Sequence, residues 1–174
     1  MYGRQQNVDL MLQPKILVPD IADRPSFALD ETGQYAFTSG YGIVLKSSRA
    51  ESPKYVLGLL NSKLLDFYLK RISTPLHGGY FRYFTQFIKR LPVRAIDFSD
   101  RGDKARHDRM VALVERNLEW HKRLETSGDD IDREVNQRLI DSTDEAIDAL
   151  VYELYGLTEK EIATVASGEP GTIE

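Results

Sequence analysis

A long apolar helix is predicted from Pro53 to Ile72, and most of the chain has to pack around it. Leucines and aromatic residues recur there at three- and four-residue spacing and cover most of the circumference, which is typical of a helix buried against a sheet. Ser52 is suited to cap the first turn, and Pro53 fits the first helical position. Thr74-Pro75 is expected to end the helix, because proline disfavours helical geometry in the preceding residue.

Aromatic residues interleaved with Arg and Lys follow this helix. His77-Gly78-Gly79 predicts a turn into this run, which extends from Tyr80 to Arg90. The stretch from Lys54 to Arg94 contains eight Lys and Arg residues and a single carboxylate, which gives it a net charge of +7. The whole chain carries −4. A basic stripe on an acidic protein indicates a directed electrostatic partner. Aromatic side chains beside basic ones suit phosphate contact and base packing, although strand aromatics facing a core would give a similar pattern.

Four short strands are predicted before the helix, at residues 15–18, 26–29, 35–38 and 43–46. Turn-forming residues separate them, with Gly33 free to adopt positive φ between the second and third. The expected fold class is therefore α+β, with a small, mainly antiparallel sheet packed on a buried helix.

Two amphipathic helices are predicted after the basic stretch, at about 103–125 and 132–155. Ser127 to Asp130 has the composition of a turn, so the pair is expected to form an antiparallel helical hairpin. Gly156 is suited to end the second helix. Thr158 and Glu161 have the spacing of a capping box for a last short helix to about residue 166.

The composition divides the chain into four predicted segments. Residues 1–14 are expected to lead in from a preceding domain, since the sequence starts without a cap or turn. Residues 15–97 form the α/β unit, 98–166 the helical hairpin with its short last helix, and 167–174 a disordered tail. Residues 101–174 carry a net charge of −8, so the helices are expected to face away from an anionic partner or to pack on another domain.

No pattern in the sequence predicts catalysis by this chain alone. Cysteine is absent, which fits a reducing cytoplasm and leaves no thiolate for a metal site. The three histidines lack metal-ligand spacing and are interpreted as surface or helix-face residues. No apolar run approaches the length of a membrane span, so no membrane partner is expected.

The central stretch resembles the C-terminal specificity domain of TaqI-like adenine-specific DNA methyltransferases. The matching residues are Leu60-Asn61-Ser62-Lys63-Leu64, Gly78-Gly79-Tyr80-Phe81-Arg82 and Leu91-Pro92-Val93. KILVPDI, YAFTSGYGIVL and AIDALVYELYGLTEKEI are also similar to such proteins. The resemblance covers roughly residues 15–165, and that domain recurs in single-chain type II restriction–modification enzymes.

The resemblance implies a target recognition domain that reads double-stranded DNA, mainly in the major groove. The partner would be a methyltransferase domain of the same chain, with or without a fused restriction endonuclease. That domain would bind S-adenosylmethionine and flip out the adenine, so no cofactor or metal is expected in this segment. The residues expected to contact DNA are Lys70, Arg71, His77, Gly78, Gly79, Tyr80, Arg82, Tyr83, Lys89 and Arg90.

Two other functions compete with this interpretation. The helical hairpin could dock a protein partner, which would make the chain an interaction module. The same aromatic and basic surface could bind single-stranded nucleic acid or RNA. Comparing duplex, single-stranded and RNA ligands separates these possibilities.

Overall fold

The computed structural model of the protein describes residues 11–37 and 39–168 and confirms the α+β class. A 3-10 turn at His77–Gly79 separates the central helices from the last strand. The strands are β1 Lys15–Val18, β2 Ile21–Ala22, β3 Ala28–Asp30, β4 Tyr41–Ile43 and β5 Phe81–Arg82. The helices are α1 Pro53–Asn61, α2 Lys63–Ile72, α3 Thr85–Ile88, α4 Arg101–Thr126, α5 Asp130–Tyr155 and α6 Glu159–Ser167.

The strands form two small antiparallel ladders. In the first, β1 lies between β3 and β4, and Ile16 is paired with Leu29 on one side and Ile43 on the other. In the second, β2 pairs with β5, which lies some sixty residues later in the chain. This second ladder brings the aromatic and basic run onto the N-terminal part of the fold.

Two of the predicted strands are placed differently in the structure. Residues 35–37 form no strand, and Thr38 lies outside the described residues. The physical reason is Asp30, whose carboxylate accepts hydrogen bonds from the backbone N–H groups of Gln34 and Tyr35 at 3.1 and 3.0 Å. A side chain thus satisfies backbone donors that a neighbouring strand would otherwise use. The strand predicted at 43–46 instead begins at Tyr41, directly after Gly40 turns the chain with φ +94°.

The predicted 53–72 helix is broken into α1 and α2 at Ser62. Ser62 has extended backbone geometry, and its hydroxyl donates to the Leu59 carbonyl at 2.7 Å while accepting from the Leu65 N–H at 3.3 Å. The next N–H, of Lys63, donates to the Asp148 carboxylate of α5 at 2.8 Å. Ser62 therefore ends one helix and caps the next, and a residue far along the chain stabilises the break. The predicted cap at Ser52 and Pro53 is confirmed.

The antiparallel helical hairpin is confirmed and packs directly on α1. Gly58 makes this close approach possible, because a Cβ atom there would lie 2.6 Å from Met110 Sδ and 2.9 Å from Val114 Cγ2. Gly156 ends α5 with φ +65°, and the Thr158–Glu161 capping box begins α6, as predicted. Helix α1 is consequently enclosed between the sheet and the hairpin.

The segment linking the basic stretch to the hairpin is fixed by hydrogen bonds on both sides. Tyr55 Oη donates to the Arg94 carbonyl at 3.0 Å, and the Arg94 N–H donates to Tyr155 Oη at 3.2 Å. The Arg94 guanidinium binds both carboxylate oxygens of Asp103, at 3.0 and 3.1 Å. Buried residues of sheet, central helices and hairpin form one hydrophobic cluster. The unit boundary at residue 97 stays a prediction; residues 1–10 and 169–174, in the predicted lead-in and tail, lie outside the described residues.

Candidate nucleic-acid interface

Half of the positive charge in the Lys54–Arg94 stretch is neutralised within the fold. Four of its eight basic side chains have a carboxylate within 4 Å. These are Lys54 with Glu31 and Glu115, Lys63 with Asp148, Lys70 with Asp66, and Arg94 with Asp103. Within residues 11–37 and 39–168, no carboxylate reaches the other four, which are Arg71, Arg82, Lys89 and Arg90. Sequence counting overestimates the charge available to a partner, because partners such as Asp148 come from distant segments.

The double glycine forms the tip of a projecting hairpin, here called the glycine finger (residues 76–80). The Leu76 N–H donates to the Tyr80 carbonyl at 2.7 Å across its base. Gly78 and Gly79 have φ +80° and +82°, a geometry that glycine adopts without strain. Nothing lies within 4 Å of a Cβ atom built at Gly79, and His77 to Tyr80 are all exposed. The glycines are needed for the backbone turn, and the space around the tip is open to a partner.

Arg82 follows the glycine finger and is anchored by its backbone. Its N–H donates to the Thr74 carbonyl at 3.2 Å, and its carbonyl accepts from Ser73 Oγ at 2.5 Å. The guanidinium lies 4.9 Å from the centre of the Phe84 ring, a cation–π arrangement. A rigid backbone and a stacked, half-buried guanidinium fix the direction of the side chain while leaving its hydrogen-bond donors unpaired by carboxylates.

Lys70 and Arg71 end α2 with different orientations. Lys70 Nζ lies 5.7 Å from the centre of the Phe81 ring and 2.7 Å from Asp66, so it reaches toward β5. Arg71 instead turns back along its own helix, where it donates to the Phe67 carbonyl at 3.1 Å and stacks on that residue's ring at 3.2 Å. Lys70 therefore lies against the Phe81 ring of β5, whereas Arg71 is directed along α2.

The expectation that the Tyr83 side chain faces a partner is wrong. Tyr83 is 0% exposed, and its ring packs edge-on against Phe27 with centroids 5.7 Å apart. Burial and the nearby Asp66 carboxyl raise the pKa of the Tyr83 hydroxyl, and burial raises the pKa of Asp66 as well. Tyr83 is buried because β2 and the residue before it cover this part of the aromatic and basic run. The Tyr83 N–H donates to the Asp20 carbonyl at 2.8 Å. By contrast, Tyr80 is 45% exposed at the base of the finger.

Lys89 and Arg90 lie just beyond α3, beside a groove that the sequence did not predict. Both side chains are exposed. The groove has a volume of about 920 Å³ and is lined by the β1 segment, the segment around β4, α1, and the stretch from α3 to residue 95. Its walls are mainly apolar, with Lys46 and Lys89 among the lining residues; the apolar ones include Ile43, Leu45, Val56, Ile88 and Val93. Four separate segments supply these walls, so no local pattern could have revealed the groove.

One of the three histidines has a structural role. His107 lies on the inner face of α4, within the predicted surface or helix-face alternatives, and its Nε2 accepts the Ser52 N–H at 3.0 Å. It is drawn inside because the first N–H groups at the start of α1 need an acceptor. In the described part of the chain, no group of three or more His, Asp or Glu side chains could hold a metal ion. No helix within the same residues has the length and apolar character of a membrane span.

Comparison with known proteins places this surface within a family. A model of the TaqI-like C-terminal specificity domain matches residues 2–93, which include the sheet, the central helices, the glycine finger and Arg82. The type II restriction enzyme and methyltransferase RM.Eco57I of Escherichia coli is 23% identical over 171 residues. The alignment covers 94% of this chain and 17% of the relative. The chain thus spans about a sixth of the relative's length.

Proposed function

The chain belongs to the TaqI-like C-terminal specificity domain family, and on that premise we propose that it recognises a short sequence of double-stranded DNA. It would act as the specificity domain of a restriction–modification type adenine-specific methyltransferase. The similarity to a restriction enzyme and methyltransferase supports this setting. The chain's own task would be to bind and orient the duplex, and the chemistry would belong to another domain.

The observation that carries the proposal is the pairing of the glycine finger with Arg82. The tip of the finger has open space around Gly79. Arg82 follows two residues after the finger, and its guanidinium stacks on Phe84 with no carboxylate within 4 Å in the described residues. Arginine can bind guanine O6 and N7 with two hydrogen bonds, which is the commonest base-specific contact in the major groove. A narrow loop and an oriented arginine are therefore a suitable pair for reading base edges.

The other predicted residues would position the duplex. Lys89 and Arg90 are exposed and free of carboxylate partners in the described residues, so they would bind phosphates. Phosphate contacts fix the register of a protein on DNA but carry no sequence information. Lys70 would contribute less, since Asp66 already balances its charge. His77 and Tyr80 would contact the groove walls from the finger, where both are exposed.

The helical hairpin would bind the methyltransferase domain of the same chain. Near its tip Ile131 is 75% exposed and Val135 is 49% exposed, one helical turn apart on α5. Paired apolar residues on an otherwise acidic helix favour a protein contact there and not a nucleic-acid contact. The methyltransferase domain would supply S-adenosylmethionine, the methyl donor, from a site of its own. The parent enzyme would act in the cytoplasm.

Selection from a random duplex library tests the proposed function. The 174-residue chain would be immobilised, and bound duplexes would be amplified over several rounds and sequenced. We expect one short motif to be enriched, because base contacts from Arg82 and the finger discriminate by about 1–3 kcal/mol per bidentate pair.

Competition with single-stranded DNA and RNA completes the test. Preferential binding of either would instead support a single-strand or RNA binder. Absence of any nucleic-acid binding at low salt would contradict the proposal and favour a module that binds only protein.

A further inference from the structure

The loop that follows β2, residues 23–26, runs beside the glycine finger. Strand β2 pairs antiparallel with β5, with Ile21 opposite Arg82 and Ala22 opposite Phe81. The chain therefore leaves β2 at the same end of the ladder at which the finger enters β5. Two segments at least fifty residues apart in the sequence thus become neighbours on one surface.

This loop is held at both ends by backbone hydrogen bonds. Before it, the Asp20 carbonyl accepts the Tyr83 N–H at 2.8 Å. After it, Phe27 is bound through both of its backbone polar groups by one side chain, Asn61. Asn61 Oδ1 accepts the Phe27 N–H at 3.0 Å, and Asn61 Nδ2 donates to the Phe27 carbonyl at 3.0 Å. The Asn61 carboxamide bonds the N–H and the carbonyl of Phe27, as a residue of a paired strand would. The buried Phe27 ring further fixes this end of the loop.

Arg24 is the cation that this loop presents. Its side chain is exposed, and no carboxylate lies within 4 Å of its guanidinium in residues 11–37 and 39–168. Burial is the main cause that raises the pKa of Asp66 and of Tyr83, and the charge of Asp23 adds to both shifts. Among the described residues, Asp23 forms no ion pair with the neighbouring Arg24.

We propose that Arg24 is a further DNA-contacting residue and that Asn61 is the positioning residue for its loop. Arg24 would bind a backbone phosphate beside the groove that the finger enters. Asn61, at the end of α1, would act through Phe27 by holding the loop against β5. This inference rests on the proposed function, because it extends the same DNA surface to a segment outside the predicted site.

Titration of a labelled duplex with the full chain tests the role of Arg24. Arg24→Ala should weaken binding about three- to tenfold on every duplex and lower the log–log salt slope by about one, as expected for a lost phosphate contact. Arg133→Ala is the matched control, since Arg133 is also exposed and has no carboxylate within 4 Å among the described residues. The control should bind as the unmodified chain does.

A double-mutant cycle tests the role of Asn61. Asn61→Ala should weaken binding and lower the salt slope in the same direction as Arg24→Ala. The double variant should bind little worse than Arg24→Ala alone, since both changes remove one contact. Affinities are referred to the folded fraction measured by circular dichroism, so that a loss of stability does not imitate a loss of contact.

The outcomes separate this inference from the proposed function. Unchanged affinity and salt slope for Arg24→Ala, together with weakened binding by Arg82→Ala, would overturn the inference and leave the proposed function standing. Additive effects of Asn61→Ala and Arg24→Ala would overturn the positioning role. A chain that binds no duplex at low salt would contradict the proposed function and this inference with it.

Discussion

Helix α1 and the glycine finger, though close in sequence, are packed in opposite ways. Every residue from Tyr55 to Leu60 is buried. Gly58 packs so closely on α4 of the hairpin that there is no room for a Cβ atom. The finger has no neighbour within 4 Å of a Cβ atom at Gly79, and its four residues from His77 to Tyr80 are exposed. Stability is therefore concentrated in α1, whereas the finger is free of packing constraints. Substitutions in the two regions should affect different measurements.

The largest effect is expected from Leu59→Ala in α1. Leu59 is 0% exposed, so its truncation leaves a cavity between sheet and hairpin and should lower the free energy of unfolding by about 2–5 kcal/mol. Leu12→Ala is the matched control, because Leu12 is 66% exposed and should change stability little. Urea denaturation measures both. A near-neutral Leu59→Ala would show that α1 is not the centre of the core.

A smaller effect, on binding alone, is expected from Arg82→Ala. Loss of a base contact should weaken duplex binding by about 1–3 kcal/mol at one position of the target sequence. Lys89→Ala should weaken binding equally on all sequences and lower the salt slope by about one. Melting temperatures should stay close to that of the unmodified chain. A lower melting temperature with unchanged affinity per folded molecule would make Arg82 a structural residue.

Comparison of Gly79→Ala with Gly128→Ala isolates the backbone strain of the finger. Neither glycine has an atom within 4 Å of a Cβ position, but only Gly79 has positive φ. Alanine at Gly79 should therefore cost about 1 kcal/mol of stability, the usual penalty for a left-handed residue, and should also weaken DNA binding by disturbing the tip. Gly128→Ala in the hairpin turn should be close to neutral. Equal effects in thermal denaturation would mean that the finger relaxes without strain.

The buried Lys15–Asp30 ion pair should stabilise the fold at neutral pH, and this contribution should be lost in acid. Burial alone would raise the pKa of Asp30, but hydrogen bonds from Lys15, Tyr35 and Gln34 outweigh it and hold that pKa below the ordinary value of 3.8. A depressed folded-state pKa stabilises the protein above about pH 4, and this contribution is lost as the pH falls further. As the pH falls below about 4, the unmodified chain should lose more stability than Asp30→Asn. Parallel curves from urea denaturation would contradict this account of the pair.

The parts of the fold that local signals specify could be predicted from the sequence. The hairpin, the Ser52 cap and the Thr158–Glu161 capping box each depend on residues a few positions apart. The glycine finger was also expected, because two adjacent glycines favour a sharp turn. The residues that specify these features are close together in the sequence.

The remaining features depend on residues that are distant in sequence. Ser62 breaks the central helix partly because Asp148 accepts the next N–H. Tyr83 is buried because β2 pairs with β5 across sixty residues. Arg94 counts as a free cation in the sequence, yet Asp103 neutralises it in the fold. Arg24 was missed because nothing in its own segment indicates that the glycine finger lies alongside.

Amide hydrogen exchange with and without a bound duplex tests most directly whether DNA is held by the finger side of the molecule. DNA binding should slow exchange in the peptides that cover residues 20–27 and 70–90. Peptides of the hairpin, at 101–155, should exchange at unchanged rates. Protection confined to the hairpin, with none in the glycine finger, would contradict binding of DNA on the finger side.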